Sequence, residues 1–178
     1  MDPVLMFERA ANDAAAMVEA VGPDQWGAPT PCTEWDVEAL VQHMADGSGY
    51  LLTALGQAPV PCGPHGAGYR EAMAAALGAL RAPSALDRRC LSPAGFEWSV
   101  ADAAAGTAMD QVVHTWDLAV AIGAPRDLDP EVVDAVSSMF LPHMPEMGRA
   151  AGFIGPEVAV AADAPGADRL VGALGRRP

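Results

Sequence analysis

The sequence predicts an all-α protein in which long helices pack side by side as a bundle. Apolar residues recur every three to four positions over several segments, which is the spacing of an amphipathic helix. No segment alternates apolar and polar residues as a half-buried strand does. Loops of about 5–15 residues, rich in glycine and proline, separate the helical segments, as expected for packed helical layers. The length of 178 residues suits one domain over residues 1–178.

Capping residues and helix-breaking residues set the expected ends of the helices. Thr33 and Asp36 are spaced like a capping box, so the second helix is expected to begin near Thr33. Ser99 and Asp102 have the same spacing and predict the start of the fourth helix, which Gly123 ends. The chain before the fourth helix and the proline-containing stretch after the fifth are expected to be irregular. The expected helices cover residues 4–21, 33–55, 68–82, 99–122, 129–141 and 166–174.

The charge and cysteine content exclude several classes of partner. The 10 basic residues are all arginine and face 23 acidic ones, for a formal charge of −13. Because phosphate binding needs clustered basic side chains, neither nucleic acid nor an anionic membrane surface is an expected partner. No apolar run approaches the roughly 20 residues of a membrane span, and the acidic N-terminus is unlike a signal peptide.

The cysteines are odd in number and widely spaced, at Cys32, Cys62 and Cys90. This pattern favours a protein of the reducing cytoplasm over one held by a disulfide framework.

Asp110 and His114 are the strongest local signal of chemistry. Residues four apart on a helix point to the same side, so this carboxylate and imidazole can bind one metal ion. The positions around them are mostly apolar. A carboxylate and an imidazole on so apolar a helix need each other or a cation.

A third ligand has to come from another part of the chain, and three histidines are available. His43 lies in the second helix, His65 in a loop rich in glycine and proline, and His143 between two prolines. Since facing helices of a bundle supply inward ligands, His43 is the natural partner. The alternative is that His43 is a core histidine bonded to a carbonyl group or to Asp46.

Two segments of the chain carry a family resemblance. The first is residues 29–37, with the sequence PTPCTEWDV, followed by residues 40–43. The second is residues 113–119, with the sequence VHTWDLA, and both fall where the second and fourth helices are expected. Together they resemble the metal-binding domain family of the mycothiol-dependent maleylpyruvate isomerases, in the DinB/YfiT-like superfamily. The tail between Phe153 and Arg176 also resembles the single-domain actinobacterial branch of the family.

The resemblance implies a four-helix bundle of the DinB/YfiT-like type, with short extra elements at the C-terminal end. It also implies a divalent metal ion, zinc or nickel, held by His43, Asp110 and His114. Three ligands leave a coordination position for water or substrate, as in catalytic sites. Thiol-dependent transfer or isomerisation, with mycothiol as cosubstrate, is the chemistry that the resemblance implies.

The expected function is therefore a metal-dependent thiol transferase or isomerase acting on a small electrophile. One alternative is a non-enzymatic module that binds a metal or a small ligand in the bundle. Another is a tailoring enzyme of secondary metabolism on the same bundle, with the metal lost. The sequence assigns no catalytic residue beyond the ligands. The expected partner is a small molecule, and an apolar bundle is compatible with a homodimer, although no feature establishes one.

Four residues near these motifs have a structural and a functional interpretation. Asp117, three residues after His114, either orients a metal ligand or pairs locally, and the sequence does not decide between the two. Trp35 and Trp116 are interpreted as core anchors rather than substrate platforms. Cys32 is interpreted as a buried structural cysteine, with a reactive thiol as the alternative.

Overall fold

The computed structural model describes residues 1–178, apart from the side chain of Met144. The chain divides into two compact units, Met1–Asp127 and Leu128–Pro178. The grouping of both units into one domain stays a prediction. Among residues 1–178, no helix combines the length and the apolar character that crossing a bilayer requires.

The first unit is built from four long helices, so the predicted all-α class is confirmed. Helix α4 packs against α1 and α2, and helix α3 packs against the same two helices, which makes a four-helix arrangement. The bounds are α1 Pro3–Glu19, α2 Val37–Ala54, α3 Tyr69–Leu80 and α4 Val100–Ile122.

Helix α4 is the centre of the first unit. Its residues 111–119 are all buried, so this stretch of the helix is enclosed on every side rather than amphipathic. The predicted caps are confirmed: Ser99 and Asp102 form a capping box, and Gly123 ends the helix in the left-handed conformation. These local signals fix the ends of the helix that carries two of the predicted ligands.

The start of helix α2 was predicted a turn too early. Asp36, not Thr33, is the N-cap residue, and its side chain accepts a hydrogen bond from the backbone N–H of Ala39. The preceding residues form a turn instead, in which the N–H of Trp35 donates to the carbonyl of Cys32 at 2.8 Å. The helix therefore begins at Val37, and the residues before it form a loop beside the bundle.

Residues 83–97, expected to be irregular, contain part of a small hairpin. Strand β1 (Arg89–Leu91) pairs antiparallel with strand β2 (Glu97–Ser99), with Cys90 opposite Trp98. Three residues per strand are too few for a period of two to stand out in the sequence.

The second unit contains three short helices. They are α5 Pro130–Phe140, α6 Met144–Ala150 and α7 Gly166–Ala173, and α5 packs against α7. Helices α5 and α7 confirm the prediction, whereas α6 was not predicted because of its prolines. Pro145 lies in the first turn of α6, where the missing N–H costs no helical hydrogen bond. Gly172 allows close packing, since a Cβ atom there would lie 2.9 Å from the carbonyl oxygen of Val158.

Candidate metal centre

The three predicted ligands meet between helices α2 and α4. His43 extends from α2, and Asp110 and His114 extend from α4. One ligand atom from each side chain lies within 4.8 Å of the other two. The structure thus brings together residues that are 67 positions apart in the chain.

The distances within this group are those of ligands around a small ion. The Asp110 Oδ1 atom lies 3.3 Å from Nε2 of His43 and 3.3 Å from Nε2 of His114. A charge-assisted hydrogen bond between such atoms is shorter, about 2.7–2.9 Å. Two ligand atoms about 2.0 Å from a tetrahedral zinc ion lie about 3.3 Å apart. The spacing of these ligand atoms therefore fits a bound divalent ion.

A buried hydrogen-bond chain sets the register of α2 against α4 beside the site. The Tyr69 hydroxyl donates to Oε1 of Gln111, and Nε2 of Gln111 donates to the carbonyl of Met44 at 2.8 Å. Gln111 follows Asp110, and Met44 follows His43. These hydrogen bonds therefore fix the two ligand-bearing helical turns opposite each other. Gln111 is fully buried, where a broken hydrogen bond is costly.

Trp35 covers one side of the two histidine rings. Its ring centroid lies 4.5 Å from that of His43 and 5.8 Å from that of His114. The two imidazole rings are 4.9 Å apart and almost perpendicular, at 86°. Trp35 is half-buried and lines the site, so its interpretation as a core anchor is wrong, whereas Trp116 is 1% exposed and belongs to the core.

The site is open to solvent on the side of His43 and Asp110. Their side chains are 38% and 32% exposed, whereas that of His114 is 9% exposed. A small molecule can therefore approach the site from outside the bundle at His43 and Asp110.

Asp117 orients the His114 ring from the buried side. Its carboxylate is fully buried, and Oδ2 lies 2.9 Å from Nδ1 of His114. With Nδ1 carrying the proton, the lone pair of Nε2 points toward Asp110 and His43. A carboxylate in this place is the usual second partner of a metal-binding histidine. Because the contact is also a local pairing within α4, the metal-orienting role of Asp117 stays a prediction.

Cys32 is the site residue that the sequence interpretation missed. Its Sγ atom lies 3.4 Å from Oδ2 of Asp117 and 3.9 Å from Nδ1 of His114. Cys32, His114 and Asp117 form a second group of side chains close enough to hold a metal ion. The thiol is half-buried rather than buried, and its structural or functional role stays a prediction. Its place in the segment that carries the family resemblance was the only available signal.

The pKa values of Asp110 and His114 shift in the directions that favour their charged forms. Burial would raise the pKa of the Asp110 carboxyl, but His114 and His43 outweigh it and hold that pKa well below its usual range. Burial would lower the pKa of His114, but Asp110, and then Asp117 and Cys32, raise it well above its usual value. These shifts favour the carboxylate of Asp110 and the protonated ring of His114, so a metal ion at Nε2 would compete with a proton for that nitrogen.

The other two histidines make different contacts. The His65 ring stacks on Trp26 with centroids 5.2 Å apart, and its backbone N–H donates to Glu38. His143 precedes α6 in the second unit. Among the described side chains, neither group able to hold a metal contains His65 or His143.

The alternative pairing of His43 with Asp46 does not occur in the described contacts, since Asp46 accepts from the side chain of Gln42 at 2.9 Å.

Comparison with known proteins places the chain in a family. It is 34% identical over 135 residues to uncharacterized proteins of Mycobacterium tuberculosis strains CDC 1551 / Oshkosh and ATCC 25618 / H37Rv. The match covers 74% of this chain and 74% of each relative. No solved structure matches the chain significantly. Residues 7–119, which include every residue of the candidate centre, match the family model, and the chain belongs to the mycothiol maleylpyruvate isomerase N-terminal domain family.

Proposed function

We propose that this protein binds a divalent metal ion through His43, Asp110 and His114 and uses it in a thiol-dependent reaction on a small electrophile. The observation that carries the proposal is the pair of 3.3 Å distances from Asp110 Oδ1 to the two Nε2 atoms. They match the edge of a tetrahedron around a zinc-sized ion, about 3.3 Å, and are longer than a typical charge-assisted hydrogen bond.

The donor set supports zinc or nickel. Two imidazole nitrogens and one carboxylate oxygen suit both ions. Three protein ligands leave a coordination position for a substrate atom, as in catalytic rather than structural sites. When bound, such an ion lowers the pKa of a coordinated thiol or water and polarises a carbonyl group.

The surrounding residues support a reaction with a molecule that enters from solvent. Asp117 holds the His114 ring so that Nε2 faces the ligand group, through a 2.9 Å contact to Nδ1. Trp35 packs against both histidine rings and excludes water from that side. The exposed flank, at His43 and Asp110, is where a substrate has access.

Membership of the family supports a thiol cosubstrate of the mycothiol type. The chain contains no lysine, which excludes a lysine Schiff base as the electrophilic group. A reducing cytoplasm suits both a thiol cosubstrate and the free cysteines Cys32, Cys62 and Cys90. The proposal therefore includes a cytoplasmic site of action and a small-molecule substrate.

The test is a thiol-consumption assay with the zinc- or nickel-loaded protein. Mycothiol is incubated with an epoxide, an activated aryl halide and an unsaturated keto acid, and loss of free thiol and isomerisation of the keto acid are followed. We expect turnover above the uncatalysed rate for at least one electrophile, and its loss in His114→Ala and after chelation.

His65→Asn is the matched control, because it removes an exposed imidazole from a left-handed position that asparagine tolerates. Full activity is expected for this variant. Stoichiometric metal without turnover of any thiol adduct would contradict the enzymatic part of the proposal and favour a metal-binding module.

A further inference from the structure

We infer that Cys32 is a positioning residue of the metal centre, acting on His114 through Asp117. The inference rests on the proposed metal binding by His43, Asp110 and His114. It assigns a role to the thiol that is separate from metal coordination.

The contacts of one oxygen atom carry the inference. Oδ2 of Asp117 faces both Nδ1 of His114, at 2.9 Å, and Sγ of Cys32, at 3.4 Å. The thiol is thus a second donor on the oxygen that orients the metal-binding ring. Asp117 is fully buried, so donors from the protein determine how its carboxylate turns.

The loop before α2 holds Cys32 in place for this contact. The backbone N–H of Cys32 donates to the Thr30 hydroxyl at 3.1 Å, and that hydroxyl donates to the carbonyl of Trp35 at 2.8 Å. The N–H of Trp35 returns a bond to the carbonyl of Cys32 at 2.8 Å. These bonds fix both residues of the loop that contact the site, Trp35 on the ring faces and Cys32 on the Asp117 side.

The distances favour positioning over direct coordination by the sulfur. The 2.9 Å between Nδ1 of His114 and Oδ2 of Asp117 is a hydrogen-bond length, whereas the Nε2 contacts to Asp110 are 3.3 Å. A metal bound to Cys32, Asp117 and Nδ1 would have to displace that hydrogen bond. The proton on Nδ1 and the ion on Nε2 are compatible, because each uses its own ring nitrogen.

Removal of the thiol should weaken metal binding without abolishing it. Partners of a metal ligand typically change metal affinity by about 10–100-fold when they are mutated. Because Cys32 acts on His114 through one intermediate residue, we expect the lower end, about tenfold, for Cys32→Ala. Cys32→Ser keeps an O–H donor and should recover most of the affinity.

The experiment is a competition titration of Zn²⁺ against a chelator with the full chain. The variants are Cys32→Ala, Cys32→Ser, Asp117→Asn and the double variant, with Cys90→Ala as the matched control for loss of a half-buried thiol. Circular dichroism checks that each variant is folded. We expect Cys32→Ala to weaken binding in the wild-type background and to have a much smaller effect in the Asp117→Asn background, because the two act in series.

Cobalt substitution separates positioning from coordination. Without added thiol, Co²⁺ in the wild-type protein should show ligand-field bands with no sulfur-to-cobalt charge-transfer absorption. Such an absorption, lost in Cys32→Ala, would overturn the inference and make Cys32 a ligand. Unchanged zinc affinity in a folded Cys32→Ala variant would overturn the positioning role of Cys32 and leave the proposed function standing. A wild-type protein that takes up no metal would overturn both this inference and the proposed function.

Discussion

Two polar clusters lie between α2 and neighbouring elements, and they differ in a way that distinguishes a ligand set from a structural network. In the first cluster, His43, Asp110 and His114 are ionisable, and the Oδ1 atom of Asp110 lies 3.3 Å from Nε2 of each histidine. The second cluster is centred on Tyr50, two helical turns after His43 on α2. Its groups are neutral.

The Tyr50 cluster satisfies its own hydrogen bonds. Nε1 of Trp98 donates to the Tyr50 hydroxyl at 2.7 Å, and that hydroxyl donates to the carbonyl of Leu91 at 2.9 Å. The Sγ atom of Cys90 is 3.4 Å from the same oxygen. The comparison teaches that donors matched to acceptors at ordinary hydrogen-bond distances indicate a structural role, whereas one carboxylate oxygen shared by two imidazole nitrogens at a longer distance fits the proposed ion.

The largest expected effect comes from His114→Ala, which breaks the first cluster. The variant removes the ligand that both Asp110 and Asp117 contact, so we expect no bound divalent metal after loading and desalting. Elemental analysis measures it. His65→Asn should keep the wild-type content, and a folded His114→Ala that keeps a full equivalent would sink the assignment.

Asp110→Asn should have the next largest effect. The amide keeps the size of the side chain but removes the charge that faces both Nε2 atoms. Because Asp110 is a direct ligand in the proposal, zinc affinity should fall by more than the roughly 10–100-fold typical of partners outside the coordination shell. Asp110→Glu restores the carboxylate and should bind zinc more tightly than Asp110→Asn. Equal zinc affinities for the two variants, measured by competition titration, would contradict a ligand role for the carboxylate.

Gly106→Ala sharpens the comparison by disturbing the second cluster. A Cβ atom at Gly106 would lie 2.9 Å from the Trp98 ring, so the Tyr50 cluster has to shift. We expect a loss of about 1–3 kcal/mol in the free energy of unfolding, measured by urea denaturation, with full metal content. Gly78→Ala is the matched control on α3, because nothing lies within 4 Å of its Cβ position, and it should stabilise the protein by about 0.5–1 kcal/mol. Equal stability of the two variants would show that the Trp98 contact carries no energy.

The smallest effect is a pH dependence confined to alkaline solution. Burial, and then the contact with Cys90, raises the pKa of Tyr50 to about 12 despite the opposing Trp98 hydrogen bond. Burial, and then the charge of Asp110, also raises the pKa of Tyr69. Because the unfolded chain loses its phenol protons first, near pH 10, the free energy of unfolding should fall as the pH rises from about 10 toward 12.

Absorbance of the phenolate tests this directly, since the chain has two tyrosines. The native protein should form little tyrosinate at pH 10.5, whereas the urea-unfolded protein should be largely ionised. A native titration midpoint near pH 10 would contradict the hydrogen-bonded cluster.

The sequence predicted the parts of the molecule that local signals determine. Ser99 and Gly123 end α4 as predicted because caps act within one helical turn. The side-by-side placement of Asp110 and His114 follows from helix geometry, and their approach to His43 agrees with the expectation that facing helices supply inward ligands.

The rest depended on contacts between distant residues. The Cys32–Asp117 contact joins positions 85 residues apart, and no local pattern announces it. Thr33 has a capping spacing, but the turn that presents Cys32 and Trp35 to the site occupies those residues and delays α2 to Val37. The hairpin formed from strands too short to show a period.

The metal content of the purified, untagged protein tests the central claim most directly. After loading with zinc or nickel and desalting, elemental analysis should find one divalent ion per wild-type chain. The folded His43→Ala variant should retain none, because it removes the one proposed ligand from α2. A full equivalent of metal in His43→Ala, or none in the wild-type protein, would contradict the account.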